Sequence, residues 1–306
     1  MNVQFNKSDI GKIYAARTQE FMQAGKRVGL TPASQDSHRV MLVIVDMQVD
    51  FVHPEGTLSV PGATDDVRRL IDWIYTHAGE TTAIAASLDS HVPVQIFYPT
   101  WWKDPATGKH PDPFTVITAE DIQKGRWQPT IDPRWSIGYV EELERAAKKN
   151  LMIWPYHTMI GSFGHSLVPA LSEAIAFHSA ARLSQPMFLT KGTIPQVEHY
   201  GIMEPEVKYP KHPQGGTNTA FLDMLGRYDL VFFAGEAKSH CVLETMRQVL
   251  RYFAGQPEVV KKLRFLADCT SSVVHPQIDF DSIAESELKL MAKQGVVMVK
   301  STDGIR

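Results

Sequence analysis

Two cysteines, Cys241 and Cys269, are all the thiols in 306 residues, too few for a disulfide framework. They fit a reducing compartment, where a thiol is kept for packing or for chemistry. No apolar stretch approaches the roughly 20 residues that a membrane span needs. The opening MNVQFNKSDIGKIYAARTQEF lacks the apolar core of a secretory signal. These absences lead to the expectation of a cytoplasmic protein with no membrane partner. Charge of one sign is also missing: 31 Lys and Arg stand against 34 Asp and Glu, for a net charge of -3. Nucleic acid is therefore not an expected partner. No G-x-G-x-x-G follows the first apolar run, which disfavours a dinucleotide-binding dehydrogenase. No internal repeat or low-complexity tract occurs.

What is present is a regular alternation. Short apolar runs without polar alternation fall at 41–45, 83–88, 151–154, 187–189, 230–234, 263–267 and 296–299, the pattern of strands covered on both faces. Between them, helical spacing predicts helices over 65–77, 140–149, 167–177, 217–225, 242–253 and 283–291. The expected fold is α/β: a three-layer sandwich around a central, mostly parallel sheet. Residues 1–38 read as a helical extension with a helix near 8–27, and residues 39–306 as the main domain. Residues 92–138, rich in Pro, Trp and Tyr, carry little periodicity and read as an ordered insertion, since disordered segments are poor in aromatics.

Chemistry-bearing residues sit at the ends of these runs. Asp46 follows the first, where burial would raise its pKa and suit it to proton transfer; a helix cap or loop acid is an equal alternative. Cys241 opens the helix after the run at 230–234, where the dipole and free N–H groups stabilise a thiolate and backbone N–H groups can bind an oxyanion. A packed structural cysteine is the competing reading. Lys191 ends the stretch MFLT, where it can hold a neighbouring thiolate or carboxylate in its charged state; in isolation a solvated lysine is the preferred reading. Asp89 and His91, two residues apart, follow the second run, and His157 follows the third. A carboxylate and two imidazoles suit Zn, Fe or Mn, although each histidine alone reads as an ordinary polar residue.

Taken together, VDMQVDF, SLDSH, WPYH-TMIGSFG, FLTKG and AGEAKSHCV occur in an order that resembles the successive motifs of nicotinamidases among the isochorismatase-like cysteine hydrolases. The resemblance spans about residues 39–302, interrupted after His91. It implies a catalytic triad of Asp46, Lys191 and Cys241, and a divalent metal at Asp89, His91 and His157. It also implies a cis peptide at Glu236–Ala237 and an oxyanion hole from the Ala237 and Cys241 N–H groups. The stretch after His91, VPVQIFYP, lacks the further histidine many of these enzymes carry, and Glu236 stands where an apolar residue is common. Phe51, Trp101 and Trp102 are candidate pocket residues; the tryptophans could also seal a subunit contact, and packing is the preferred reading for them. The implied activity is hydrolysis of a small carboxamide through a thioester, in a homodimer or homotetramer. Alternatives are a carbamoyl or other small-amide hydrolase, a metal-independent isochorismatase-like enzyme, and a non-catalytic assembly protein. Cys269, His212, His240 and His275 read as packing, loop or cap residues.

Overall fold

The computed structural model describes residues 5–305; residues 1–4 of the expected extension, and Arg306, lie outside the described residues. Six strands build one sheet: β1 (Val40–Val45), β2 (Ala83–Asp89), β3 (Met187–Lys191), β4 (Leu230–Gly235), β5 (Leu263–Leu266) and β6 (Val297–Val299). Their spatial order is β6-β5-β4-β1-β2-β3, and every pairing is parallel.

The unbroken apolar character of β1 follows from its two covered faces. Val40, Leu42 and Ile44 enter one core with α2 (Ala63–Thr76) and α4 (Pro169–Arg182). Met41, Val43 and Val45 enter a second core on the opposite face with α5 (Thr219–Leu225), α6 (Leu243–Tyr252) and α7 (Phe280–Gln294). Side chains alternate across a strand, so a strand between two helical layers must be apolar throughout. This is the three-layer α/β sandwich with a central parallel sheet that the alternation predicts. The helix starts carry local signals: Pro169 stands in the first turn of α4, and Asp279 caps α7 by accepting from Ser282 N.

Three expectations need correction. The helix near 8–27 is a short 3-10 turn at Lys7–Asp9 and then α1 (Thr18–Val28); Gly11, at φ +84°, lies in a left-handed conformation that a right-handed helix cannot include. The run at 151–154 is not a strand of the main sheet. Only Leu151–Met152 is a strand, and it pairs antiparallel with Val116–Ile117. Buried extended chain looks alike in sequence whichever core covers it. Finally, the helix over 140–149 begins earlier, as α3 (Pro133–Glu142), and runs into a wide π-helical turn at Leu143–Ala147. Asp132 caps α3 by accepting from Trp135 N, so this helix starts inside the segment read as 92–138. That segment is ordered, as its aromatics imply. Phe97, Tyr98, Trp101, Trp102 and Ile117 join Tyr139, Leu151, Trp154 and Val197 in a third core.

The N-terminal segment is bound to the sandwich. Arg17 pairs with Glu173 of α4, Arg182 with Asp36, and α1 lies against α4 so closely that a Cβ at Gly25 would meet Phe177 O at 2.3 Å and Ala181 N at 3.0 Å. Among the described residues no helix is long and apolar enough to cross a membrane. Gly25→Val should lower stability by about 1–3 kcal/mol through overpacking, read as a lower denaturant midpoint. An unchanged midpoint would show that α1 is not held against α4.

Candidate active site

Neighbours β1 and β4 mark the place where strand order reverses. In open α/β sheets, ligands bind beyond the carboxyl ends of the strands at such a reversal. Asp46 is the first residue after β1, and Cys241 lies in a wide turn, Lys238–Val242, between β4 and α6. On the other side, the β2–β3 register pairs Asp89 with Lys191. Four chemically active side chains thus reach one edge from four strands.

At the centre is Lys191, whose side chain is 2% exposed. Its Nζ donates to Asp89 Oδ1 at 2.8 Å, to the His199 carbonyl at 3.0 Å and to Cys241 Sγ at 3.7 Å. An ammonium has three protons, so these contacts occupy all of them. Asp46 Oδ2 lies 2.9 Å from the same nitrogen but has no directed hydrogen bond among the described residues. Asp46 Oδ1 accepts from Ser87 Oγ at 2.5 Å. One carboxylate oxygen is therefore held by Ser87, and the other lies against the ammonium beside Cys241. Gly192 follows at φ +78°, where a Cβ would meet Asp89 Oδ1 and His91 Cε1, each at 2.7 Å. The site has no room for a side chain there.

Burial sets the protonation states. It raises the Asp46 pKa above the usual carboxylate value, against the pull of Lys191. Burial disfavours a charged Lys191, but Asp46 and Asp89 outweigh it and lift its pKa well above the ordinary value. Burial also opposes ionisation of Asp89, yet His91, Lys191 and His157 hold its carboxyl well below the usual range. Burial pushes the Cys241 thiol well above its ordinary value, and Lys191 does not cancel this. Desolvation of a residue that is 7% exposed, with two carboxylates beside it, thus opposes the thiolate stabilisation that a helix start supplies. The Glu236–Ala237 peptide is cis, as the motif implies. Ala237 N makes no hydrogen bond to another described residue, which leaves it available beside Cys241.

Asp89, His91 and His157 each offer an atom within 4.8 Å of the others. Asp89 Oδ2 lies 2.8 Å from His91 Nε2 and 3.6 Å from His157 Nε2. His91 Nδ1 faces the Gly192 carbonyl at 3.1 Å, and His157 Nδ1 faces the Pro155 carbonyl at 2.7 Å. A carbonyl only accepts, so both Nδ1 atoms carry protons, and both Nε2 atoms are turned toward Asp89. Burial lowers the His91 pKa against the pull of Asp89, which favours the neutral ring that a metal ligand needs. Two ring nitrogens and a carboxylate oxygen converge here, a donor set that a divalent cation satisfies. The donor set fits a metal.

A small cavity of about 30 Å³ opens onto Cys241, Lys191, Asp89 and His157, with Phe51, Trp154 and Tyr200 among its walls. Phe51 is where the sequence reading puts it. Trp101 and Trp102 are not: they are 1% and 0% exposed inside the third core, where their indole N–H groups bond Ser136 Oγ and the Ile96 carbonyl. Packing, the preferred reading, is their role. His240, read as a loop residue, borders the cavity, and burial lowers its pKa to about 3. Sequence reasoning missed Ser87, which orients Asp46, and Gln48, whose amide bonds both the N–H and the C=O of Asp89. It also missed Glu198 and His199 on the cavity wall. Burial raises the Glu198 pKa to about 8 and lowers that of His199 to about 3. The cluster of ionisable residues in Glu198-His199-Tyr200, within an aperiodic stretch, was the available signal.

No protein-family model matches the chain, and no curated protein matches it. Solved structures do. The yeast nicotinamidase Pnc1p bound to the inhibitor nicotinaldehyde aligns over 85% of this chain and 99% of its own, with TM-score 0.58 and 16% identity. A nicotinamidase/pyrazinamidase from Acinetobacter baumanii aligns over 88% and 99%, with TM-score 0.53 and 20% identity. PnC1 from L. infantum, in complex with nicotinate, aligns over 89% and 96%, with TM-score 0.50 and 20% identity. The chain therefore shares the α/β fold of these structures along nearly their whole length.

The buried thiol gives a direct test. Alkylation of Cys241 by iodoacetamide should be slow at pH 7 and keep rising with pH beyond the usual thiol value of about 8.5. A rate that levels off below pH 8 would show a stabilised thiolate instead.

Proposed function

We propose that this protein is a cysteine amidohydrolase that cleaves the C–N bond of a small carboxamide and releases ammonia, in the manner of a nicotinamidase. The observation that carries this reading is the convergence of Cys241 Sγ and Asp46 Oδ2 on the single ammonium of Lys191. A nucleophile, a proton acceptor and a buried cation within mutual reach are the parts that acyl transfer requires.

The residues act as follows. Asp46 Oδ2 takes the proton from Cys241. Burial raises both pKa values, so a base stronger than an ordinary carboxylate meets the thiol and the proton moves in either direction. The Lys191 cation balances the charge that appears on sulfur. The sulfur forms a bond to the amide carbon, and the oxygen takes up negative charge facing the Ala237 and Cys241 N–H groups. The carbon–nitrogen bond breaks as Asp46 returns its proton to the leaving nitrogen, giving ammonia and a thioester. Water then attacks the thioester, Asp46 accepts its proton, and the proton returns to the departing sulfur.

Asp89, His91 and His157 would hold a divalent ion of the zinc, iron or manganese kind. When bound, such an ion supplies a Lewis acid next to the cavity that can bind and orient a substrate. The walls of Phe51, Trp154 and Tyr200 favour a flat substrate. Glu198 and His199 add polar groups on the same wall, which favours a carboxamide carrying a hydrogen-bonding group, nicotinamide or another. Ammonia release across a panel of small amides, nicotinamide first, with and without chelator, separates these readings. Loss of sensitivity to chelator with full turnover would favour the metal-independent alternative.

Cys241→Ala and Asp46→Asn should each lower turnover of the best amide by about 10³-fold or more, because members of such a unit fail singly. The circular dichroism spectrum should be unchanged. Turnover that survives in Cys241→Ala would exclude the thioester route.

A further inference from the structure

We propose that the aromatic insertion positions the two imidazoles for a divalent cation, with Gln95 and Tyr98 as its positioning residues. This rests on the metal reading above and goes beyond it, because it assigns a task to a segment that the triad does not use.

The need arises from the fold. Asp89 and Lys191 are fixed by sheet register, and His91 is two residues beyond β2. His157 belongs to no strand of the sheet. Its segment meets the sheet side at one bridge, in which His91 N donates to Thr158 O at 3.1 Å and Ile160 N donates to His91 O at 3.0 Å, and at Thr158 N, which donates to Asp50 Oδ2 at 2.7 Å. These bonds hold the residues after His157, and Phe51 meets its ring edge-on at 5.5 Å, but the backbone of His157 itself is left to the insertion.

The insertion holds this stretch at two places. Trp154 N donates to Phe97 O at 2.8 Å. Three residues later, the Tyr98 hydroxyl donates to His157 O at 3.0 Å and accepts from His157 N at 3.3 Å. Both backbone groups of His157 are thus held by one side chain. His91 is held differently. The Gly192 carbonyl that accepts from its Nδ1 also accepts from Gln95 Nε2 at 2.7 Å, while Gln95 Oε1 accepts from Val92 N at 3.1 Å. Gln95 therefore ties the residue after His91 to the very carbonyl that sets the His91 tautomer. The Phe97 ring meets His91 edge-on, with centroids 4.8 Å apart. Gln95 and Tyr98 are 0% exposed, so these bonds do not compete with water. Partners of this kind around metal-binding histidines fix ring direction and affinity.

The test uses the full chain, stripped with chelator and titrated with zinc ion against a chromophoric competitor. Tyr98→Phe deletes one hydroxyl, and Gln95→Leu deletes the amide contacts to Val92, Gly192 and Ile194. Trp101→Phe is the control: it lies in the same core, and its indole bonds Ser136 rather than a ligand segment. Tyr98→Phe and Gln95→Leu should each weaken zinc binding about 10–100-fold, while Trp101→Phe changes it less than about 3-fold. Thermal midpoints of the metal-free proteins separate this from general loosening. Equal affinity in all four proteins would overturn the positioning role and leave the metal site standing. Equal weakening in all three variants would overturn it too, as a loss of packing. A parent protein that binds no zinc would remove the metal reading itself, and this proposal with it.

Discussion

A single buried ammonium organises this molecule's chemistry. Lys191 is held between two carboxylates, Asp46 and Asp89, in a place where an unpaired charge of either sign would be severely penalised. One cation cannot neutralise two anions, and the surplus negative charge is what gives the site its character. Asp89 stays ionised and turns its second oxygen toward two imidazoles. Asp46 has its affinity for a proton raised and lays one oxygen against the ammonium beside Cys241. The same lysine separates the two functions, since one carboxylate faces the sulfur and the other faces the donor set.

The sheet makes this arrangement with little freedom left over. Strands β1 and β4 are neighbours despite the long stretch of chain between them, and their carboxyl ends deliver Asp46 and the Cys241 turn. Strands β2 and β3 put Asp89 opposite Lys191. Small details complete it: Ser87 and Gln48 hold the carboxylate side chain of one acid and the backbone of the other, and Gly192 leaves the space that any Cβ would fill.

Much of this was legible in the sequence because strand ends carry the chemistry. Asp46, Asp89, His91, Lys191 and Cys241 all follow apolar runs that form real strands, and the structure brings them together. His157 arrived at the same place for a different reason. Its apolar run belongs to the third core, and the insertion rather than the sheet holds its backbone. Periodicity could not show this, since buried extended chain has one signature in every setting. Nor could it show the resting state of Cys241, because a helix start suggests a thiolate while burial, invisible in sequence, decides for the thiol. For Trp101 and Trp102 the sequence left pocket, subunit contact and packing open, with packing preferred, and packing is where they lie: aromatic content announces a core without saying which space it fills. Glu198 and His199 lie in aperiodic chain, and only their three-dimensional setting marks them.

The most direct measurement of the central claim is a double-mutant cycle on stability at pH 7, pairing Lys191→Met with Asp46→Asn. Lys191→Met alone should cost about 3–5 kcal/mol, the usual consequence of leaving a buried charge uncompensated. In the Asp46→Asn background the same change should cost less, by at least about 1 kcal/mol, because one of the two stranded carboxylates is already neutral. Strictly additive effects would contradict the account, since they would mean that the ammonium and Asp46 do not sense each other.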